Sequence, residues 1–216
     1  VAFENVLKPY HTTEQWLRWI DELSEQNYVL IDDFLNAEDY LNIRNFFINH
    51  LDDFSPAGIG ALGQNQVVKS IRGDVTYWLD SKRDEQLQNF WQLVEESLST
   101  LNRYCYLSLS GFEFHLAHYA PGQGYDRHID QFDQRSNRMI SIVIYLNENW
   151  QPGDGGELQL IDAHGKAKVI APLRNRLMMF KSADVPHEVL PANTSRYSLT
   201  GWLLYRPAVL GSIFKE

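Results

Sequence analysis

The stretch Phe112-Glu113-Phe114-His115-Leu116-Ala117-His118-Tyr119 decides how this chain folds. In an extended segment side chains alternate between two faces, so Phe112, Phe114 and Leu116 share one face and Ala117 and Tyr119 the other. Both faces carry apolar residues, which means that both are covered: one packs under helices and the other lines an interior. Segments of the same kind recur at 139–146, 157–161, 167–170, 176–180, 188–190 and 196–205, with Gly, Pro and Asn between them. Short strands at such regular spacing indicate a sandwich or jelly roll.

Upstream, residues 1–104 read as mainly helical, with one extended interruption at 67–79. Trp16, Trp19, Ile20 and Leu23 follow the i, i+3, i+4, i+7 stripe of an amphipathic helix, and Thr12 with Gln15 has capping-box spacing before it. A second helix is expected over 37–51, capped by Asn36, with Ile43, Phe46, Phe47 and Leu51 on one face. A third is expected over 84–104, striped by Leu87, Phe90, Trp91, Val94, Leu98 and Leu101. Between these two, 55–66 is rich in glycine and carries Pro56, the composition of a mobile loop. The expected fold is α+β: a double-layered β-barrel buttressed by N-terminal helices. One domain should span 1–216, with the strand core at 105–207.

Composition narrows the function classes. The balance of 19 basic against 28 acidic residues, 19 − 28 = −9, repels phosphate backbones, and no Lys/Arg cluster offsets it, so nucleic acid is not an expected partner. No stretch approaches the roughly 20 apolar residues that cross a bilayer. Residues 1–10 lack the basic-then-apolar pattern of a secretory signal, and the single cysteine, Cys105, cannot form an internal disulfide; both fit the cytoplasm. Cys105 lies in an apolar run and reads as a packing residue.

The chemistry begins at Tyr125-Asp126-Arg127-His128-Ile129-Asp130. His128 and Asp130 project to one side of an extended chain and can share an ion, while Ile129 turns into packing. A third ligand must come from elsewhere. His187, at 187 − 128 = 59 residues further on, heads the strand that starts at Pro186-His187-Glu188-Val189. Two imidazoles and a carboxylate on one triangular face suit iron(II) oxygen chemistry, although zinc hydrolases use the same ligand types and a His-x-Asp pair alone is common. Arg196 adds weight, because it alternates with Ser198 and Thr200 on a strand whose face can be that of the metal. An interior guanidinium needs an anion, and a dicarboxylate held in bidentate fashion is the natural one; taken singly, Arg196 would serve equally well in a surface ion pair. Tyr145 can add its hydroxyl to the same carboxylate. His115 reads as a satisfied interior histidine, His118 as facing the helices, and His11, His50 and His164 as solvated. The glycines at 122–124 and 154–156 read as turns without the strand-to-helix context of a phosphate loop.

Several motifs now coincide: Ile71-Arg72-Gly73-Asp74 with Trp78, Tyr119 with Pro121-Gly122, Tyr125 with Arg127-His128-Ile129-Asp130, Tyr145-Leu146-Asn147 with Trp150, Gly155-Gly156-Glu157-Leu158, His187-Glu188-Val189, and Arg196-Tyr197 with Trp202. Over 71–207 the sequence resembles the 2-oxoglutarate and iron(II)-dependent prolyl 4-hydroxylases, in the branch of the animal oxygen-sensing hydroxylases and their bacterial relatives. The resemblance implies a double-stranded β-helix (jelly roll) with Fe(II) held by His128, Asp130 and His187. It implies that Arg196 and Tyr145 bind the far carboxylate of 2-oxoglutarate, with Tyr119 at the edge of that pocket and Thr200 beside it. Arg138 and Trp202 would lie on the substrate side, and Arg72 and Asp74 on a loop, about 55–78, that folds over a target peptide. The implied activity uses O2, with ascorbate as a reductant, to hydroxylate a prolyl residue of an intracellular protein, elongation factor Tu being a candidate, and releases succinate and CO2. Two alternatives keep the scaffold: the same chemistry on a free amino acid or a non-prolyl side chain, and an idle metal-binding interaction module.

Overall fold

In the computed structural model, Thr12 starts the first helix as its spacing requires. Its hydroxyl accepts the Gln15 N–H while the Gln15 side chain accepts the Thr12 N–H, and α1 (Thr13–Gln26) buries Trp16, Trp19, Ile20 and Leu23. The structure describes residues 9–58, 72–131 and 136–205. Asn36 caps α2 (Ala37–Asn49) by accepting the Asp39 N–H. This helix stops two residues short of the expected end, and Leu51 opens a 3-10 turn instead. A further 3-10 turn, Glu85–Leu87, leads into α3 (Gln88–Cys105). One element was not foreseen: β1 (Tyr28–Ile31) is a four-residue strand in the stretch read as helical, too short for its periodicity to declare itself.

The expected loop over 55–78 is tied at both ends, because β2 (Ser55–Pro56) pairs antiparallel with β3 (Val75–Trp78). Its central part, 59–71, lies outside the described residues, and so do part of the extended segment expected at 67–79, the motif residue Ile71, the stretch 1–8 and the end of the strand core at 206–207. The remaining strands are β4 (Leu109–Tyr119), β5 (Tyr125–His128), β6 (Arg138–Tyr145), β7 (Leu158–Ile161), β8 (Ala167–Ile170), β9 (Leu177–Lys181), β10 (His187–Val189) and β11 (Arg196–Tyr205).

Among the described residues these strands form two antiparallel sheets, ordered β1-β9-β6-β11-β4-β3-β2 and β5-β10-β7-β8. The larger sheet is apolar on both faces, as the opening stretch demands. Phe114, Leu116, Ile142, Ile144, Met179 and Leu199 belong to one cluster with Trp16, Phe47 and Leu98 of the helices. Ala117, Val143, Tyr145 and Met178 meet Leu158, Leu160 and Val189 of the smaller sheet in another. The architecture is the helix-buttressed jelly roll. Burying each large apolar side chain contributes about 1.5–3 kcal/mol, so the helices are integral to holding the larger sheet together under the site. No helix among the described residues is long and apolar enough to cross a membrane.

Two histidines depart from expectation. His11 is buried rather than solvated, enclosed by the rings of Tyr10, Trp16, Trp19 and Phe34 at centroid distances of 4.7–6.0 Å. His50 stacks on Phe46 at 4.0 Å and its Nδ1 bonds the Phe46 carbonyl. Both are flat, partly apolar rings whose faces pack as well as any aromatic, a role that a residue-by-residue reading misses. His118 stacks on Tyr197, which in turn meets Phe47 of α2, so it does face the helices, and His164 is exposed. Cys105 is half-buried against the helix-side cluster, and burial pushes its thiol up.

Candidate metal and co-substrate site

The pairing of β5 with β10 sets His128 opposite His187, with ring centroids 4.2 Å apart. Each ring is turned by a carbonyl close to its own strand: Nδ1 of His128 lies 2.7 Å from the Asp126 oxygen, and Nδ1 of His187 lies 3.0 Å from the Val185 oxygen. A carbonyl can only accept, so Nδ1 carries the proton in both neutral rings and each Nε2 lone pair is free to ligate. Asp130 stands beyond the end of β5, its Oδ1 3.5 Å from His128 Nε2 and its Oδ2 3.8 Å from His187 Nε2. One ligand atom from each residue falls within 4.8 Å of the others. Bonds of roughly 2.1 Å to a common ion put neighbouring donors about 3 Å apart, so this set closes on one metal with small side-chain adjustments. Burial drops the His187 pKa to about 4, against the opposing pull of Asp130. Burial would raise the Asp130 carboxyl, but the two imidazoles and a Ser141 hydrogen bond outweigh it and hold the group well below the usual carboxylate range. A neutral imidazole and an anionic carboxylate are the forms that bind a divalent cation.

Ile129 does not pack as expected: it is 39% exposed. With its two neighbours turned inward, the residue between them is turned out, and β5 is an edge strand of the smaller sheet.

Arg196, at the start of β11, is 3% exposed. Its Nε donates to the Gly156 carbonyl at 2.8 Å and its Nη1 to Ser198 Oγ at 3.1 Å, yet among the described residues no carboxylate pairs with it. The guanidinium lies 5.0 Å from the Tyr119 ring and 5.1 Å from the Tyr145 ring. The Tyr145 hydroxyl is buried and has no partner among the described residues. Burial pushes both phenols up, so they remain neutral donors. A buried cation beside an unspent hydroxyl is a receptor for an anion, and among the described residues Arg196 makes no surface ion pair. A cavity of about 250 Å³ runs from this guanidinium past the three metal-ligand candidates to Arg138 and Trp202.

The matches to known proteins follow this geometry. A family model described as the 2OG-Fe(II) oxygenase superfamily matches residues 114–204. The crystal structure of a Pseudomonas putida prolyl-4-hydroxylase superposes with a TM-score of 0.81 at 34% identity, covering 89% of this chain and 100% of that one. The chain belongs to the prolyl hydroxylase family of 2OG-Fe(II) oxygenases. A Trichoplax adhaerens prolyl hydroxylase, in complex with a hypoxia inducible factor peptide fragment, matches with a TM-score of 0.78 at 29% identity over 90% of this chain and 94% of that one. Human Egl nine homolog 1 is 30% identical over 192 residues, 83% of this chain and 44% of that protein. The chain thus spans about half the length of the curated relatives it matches. The family pairs Fe(II) with 2-oxoglutarate, and the donor set and the unmatched Arg196 of this chain fit both.

At the other end of the cavity the oxygenase stacks flat groups. Trp78, His115 and Trp202 form a triangle of rings, with centroid distances of 4.8 Å for Trp78–His115, 5.4 Å for His115–Trp202 and 6.3 Å for Trp78–Trp202, and the Arg138 guanidinium lies 3.4 Å from the Trp202 ring. Arg138 also pairs with Glu113 at 3.3 Å. Thr200 lines the same cavity, its hydroxyl 3.3 Å from Ser198 Oγ. His115 is interior as expected but not satisfied: among the described residues its Nδ1 has no partner, and burial with the Arg72 and Arg138 charges holds its pKa well below the ordinary value. Arg72 grips Asp74 in bidentate fashion at 2.7 and 2.9 Å and covers the Tyr125 ring, which stacks on His128 at 3.7 Å. Asp74 is buried in that pair, beside the cavity rather than in it. Sequence reasoning overlooked Ser141 and Ser182, hydroxyls on strand and turn positions that no pattern distinguishes from packing.

Proposed function

We propose that this oxygenase hydroxylates a prolyl residue of a protein substrate, consuming 2-oxoglutarate and O2 and releasing succinate and CO2. The observation that carries the reading is the buried, acid-free Arg196 beside the unpartnered Tyr145 hydroxyl, one cavity away from two imidazoles and a carboxylate. His128, Asp130 and His187 would hold Fe(II), a donor set that suits its oxygen chemistry. Arg196 and Tyr145 bind the far carboxylate of 2-oxoglutarate, with Tyr119 and Thr200 bordering it, and so fix the distance of its keto-acid end from the metal. Fe(II) with bound 2-oxoglutarate supplies the activation of O2, one oxygen atom going to the substrate and one to succinate. Arg138, Trp202, Arg72 and Asp74 form the substrate side, where the Trp202 ring beside the Arg138 guanidinium offers a flat wall to a proline ring. The activity resides in one domain, 1–216, working in the cytoplasm.

Incubation with Fe(II), ascorbate and 2-oxoglutarate should release succinate, and the yield should rise with a host lysate. Mass spectrometry of that lysate should find proline gaining one oxygen; elongation factor Tu, the target that the resemblance to the bacterial branch implies, is the first protein to inspect. Modification confined to another residue type would move the assignment to non-prolyl oxidation. Absence of succinate with any extract would leave an idle module.

A further inference from the structure

Asp130 is the one metal-ligand candidate not placed by a strand ladder. His128 and His187 are set by the pairing of β5 with β10, but β5 ends two residues before Asp130. Two buried serines hold it instead. Ser141 Oγ on β6 lies 2.6 Å from Asp130 Oδ2, and Ser182 Oγ, just past β9, lies 2.8 Å from Ser141 Oγ. These hydroxyls belong to residues 1% and 0% exposed.

The direction of the proton chain follows from chemistry. An ionised carboxylate only accepts, so Ser141 gives its single hydroxyl proton to Oδ2, and Ser182 must then donate to Ser141. Each hydroxyl polarises the next in a region without competing solvent. The backbone of Ser182 joins the same clamp: its carbonyl accepts the N–H of Gln131, next to Asp130, at 3.3 Å, and its N–H donates to the Met139 carbonyl at 3.0 Å. Side chain and main chain of this one residue therefore bind the Asp130 segment to β6.

We infer that Ser182 and Ser141 form a hydroxyl relay that positions Asp130 through its Oδ2. The inference rests on the reading of the three residues as a metal site and adds to it two positioning residues. Removing the Ser141 hydroxyl frees the carboxylate to rotate, and loss of an outer partner of a ligand typically costs about 10- to 100-fold in metal affinity.

The test is Co(II) titration of metal-free protein, read by visible absorption and by calorimetry. Ser141→Ala should bind Co(II) about 10- to 100-fold more weakly and with an altered absorption band, Ser182→Ala should show a smaller loss, and Ser141→Thr, which keeps the hydroxyl, should restore both readouts. Wild-type affinity and an unchanged band in Ser141→Ala would overturn the relay, as would Ser141→Thr binding no better than Ser141→Ala. Should Ser141→Ala fail to fold, Ser182→Ala and Ser141→Thr decide: wild-type affinity and band in Ser182→Ala would remove the relay. Wild-type protein that takes up no Co(II) would overturn the metal-site reading and this inference together, whereas normal uptake that is insensitive to the serines overturns this inference alone.

Discussion

Gly156 shows how closely the chain is built around Arg196. Its φ is +75°, and a Cβ there would sit 2.9 Å from Arg196 Cδ and 3.3 Å from Ala192 Cβ, while its own carbonyl takes the Arg196 Nε proton. Gly156→Ala therefore combines a left-handed backbone penalty of about 1–2 kcal/mol with a push on the guanidinium. The expected result is a KM for 2-oxoglutarate raised roughly tenfold, about 1.4 kcal/mol of lost binding, with Co(II) affinity unchanged; an unaltered KM would show that Arg196 has slack. Arg196→Ala should go further in the same direction and spare the metal, whereas His128→Ala should abolish metal uptake. His11 carries a pH prediction. Burial lowers its folded pKa below the unfolded 6.5, against the opposing Glu96 charge. A depressed folded pKa gives stability that is present above 6.5 and lost as pH falls through that value, because the unfolded chain takes the proton first. His11→Phe, which keeps a flat ring among Tyr10, Trp16, Trp19 and Phe34, should lose less stability than wild type between pH 7.5 and pH 5.5, measured as the shift in urea midpoint.

At the scale of elements, Gly201 is the point where β11 yields to its neighbour. It pairs with Phe114 on one side and Ile142 on the other, and an added Cβ would fall 2.1 Å from Phe114 Cδ1 and 2.4 Å from the Glu113 carbonyl oxygen. Gly201→Ala should destabilise by about 3 kcal/mol, seen as a lower urea midpoint with an unchanged slope, and should weaken 2-oxoglutarate binding because Arg196 begins the same strand. A midpoint within error of wild type would mean that Phe114 can swing away. Such register-dependent contacts explain what could be read from residues alone. The stripes of α1 and α3 and the capping box were legible because a helix declares itself within a few residues; His128 with Asp130 and the later His187 could be picked out because alternate residues of an extended segment share a face. β1 was not, being four residues whose partner, β9, lies far along the chain. The inward turn of Asp130 was legible, but the outward turn of Ile129 depended on β5 being an edge. The neighbours of His11 and the Ser141–Ser182 pair exist only once distant segments meet.

Across the whole molecule, the site spans both layers of the jelly roll. The smaller sheet supplies His128 and His187; the larger supplies Arg196, Tyr145, Tyr119, Thr200 and Trp202, and through Ser141 it also holds Asp130. Among the described residues the helices pack against the larger sheet, and the smaller one is held by the apolar layer between the sheets and by whatever bridges the cavity. Metal and 2-oxoglutarate bound together would link His128 and His187 on one sheet to Arg196 on the other, and a ligand that binds only the folded form stabilises it by mass action. At about 100 times Kd that is ~2.7 kcal/mol, which for a chain of this size corresponds to a rise in Tm of roughly 5–10 °C. Thermal melts should therefore show an increment with Mn(II), a second with 2-oxoglutarate added to the Mn(II) form, and little with 2-oxoglutarate after chelation, since its keto-acid end would have nothing to hold. Arg196→Ala should keep the first increment and lose the second, and His187→Ala should lose both. Equal increments from 2-oxoglutarate with and without metal would mean that the two ends of the cavity bind independently, and the bridge between the sheets would have to be given up.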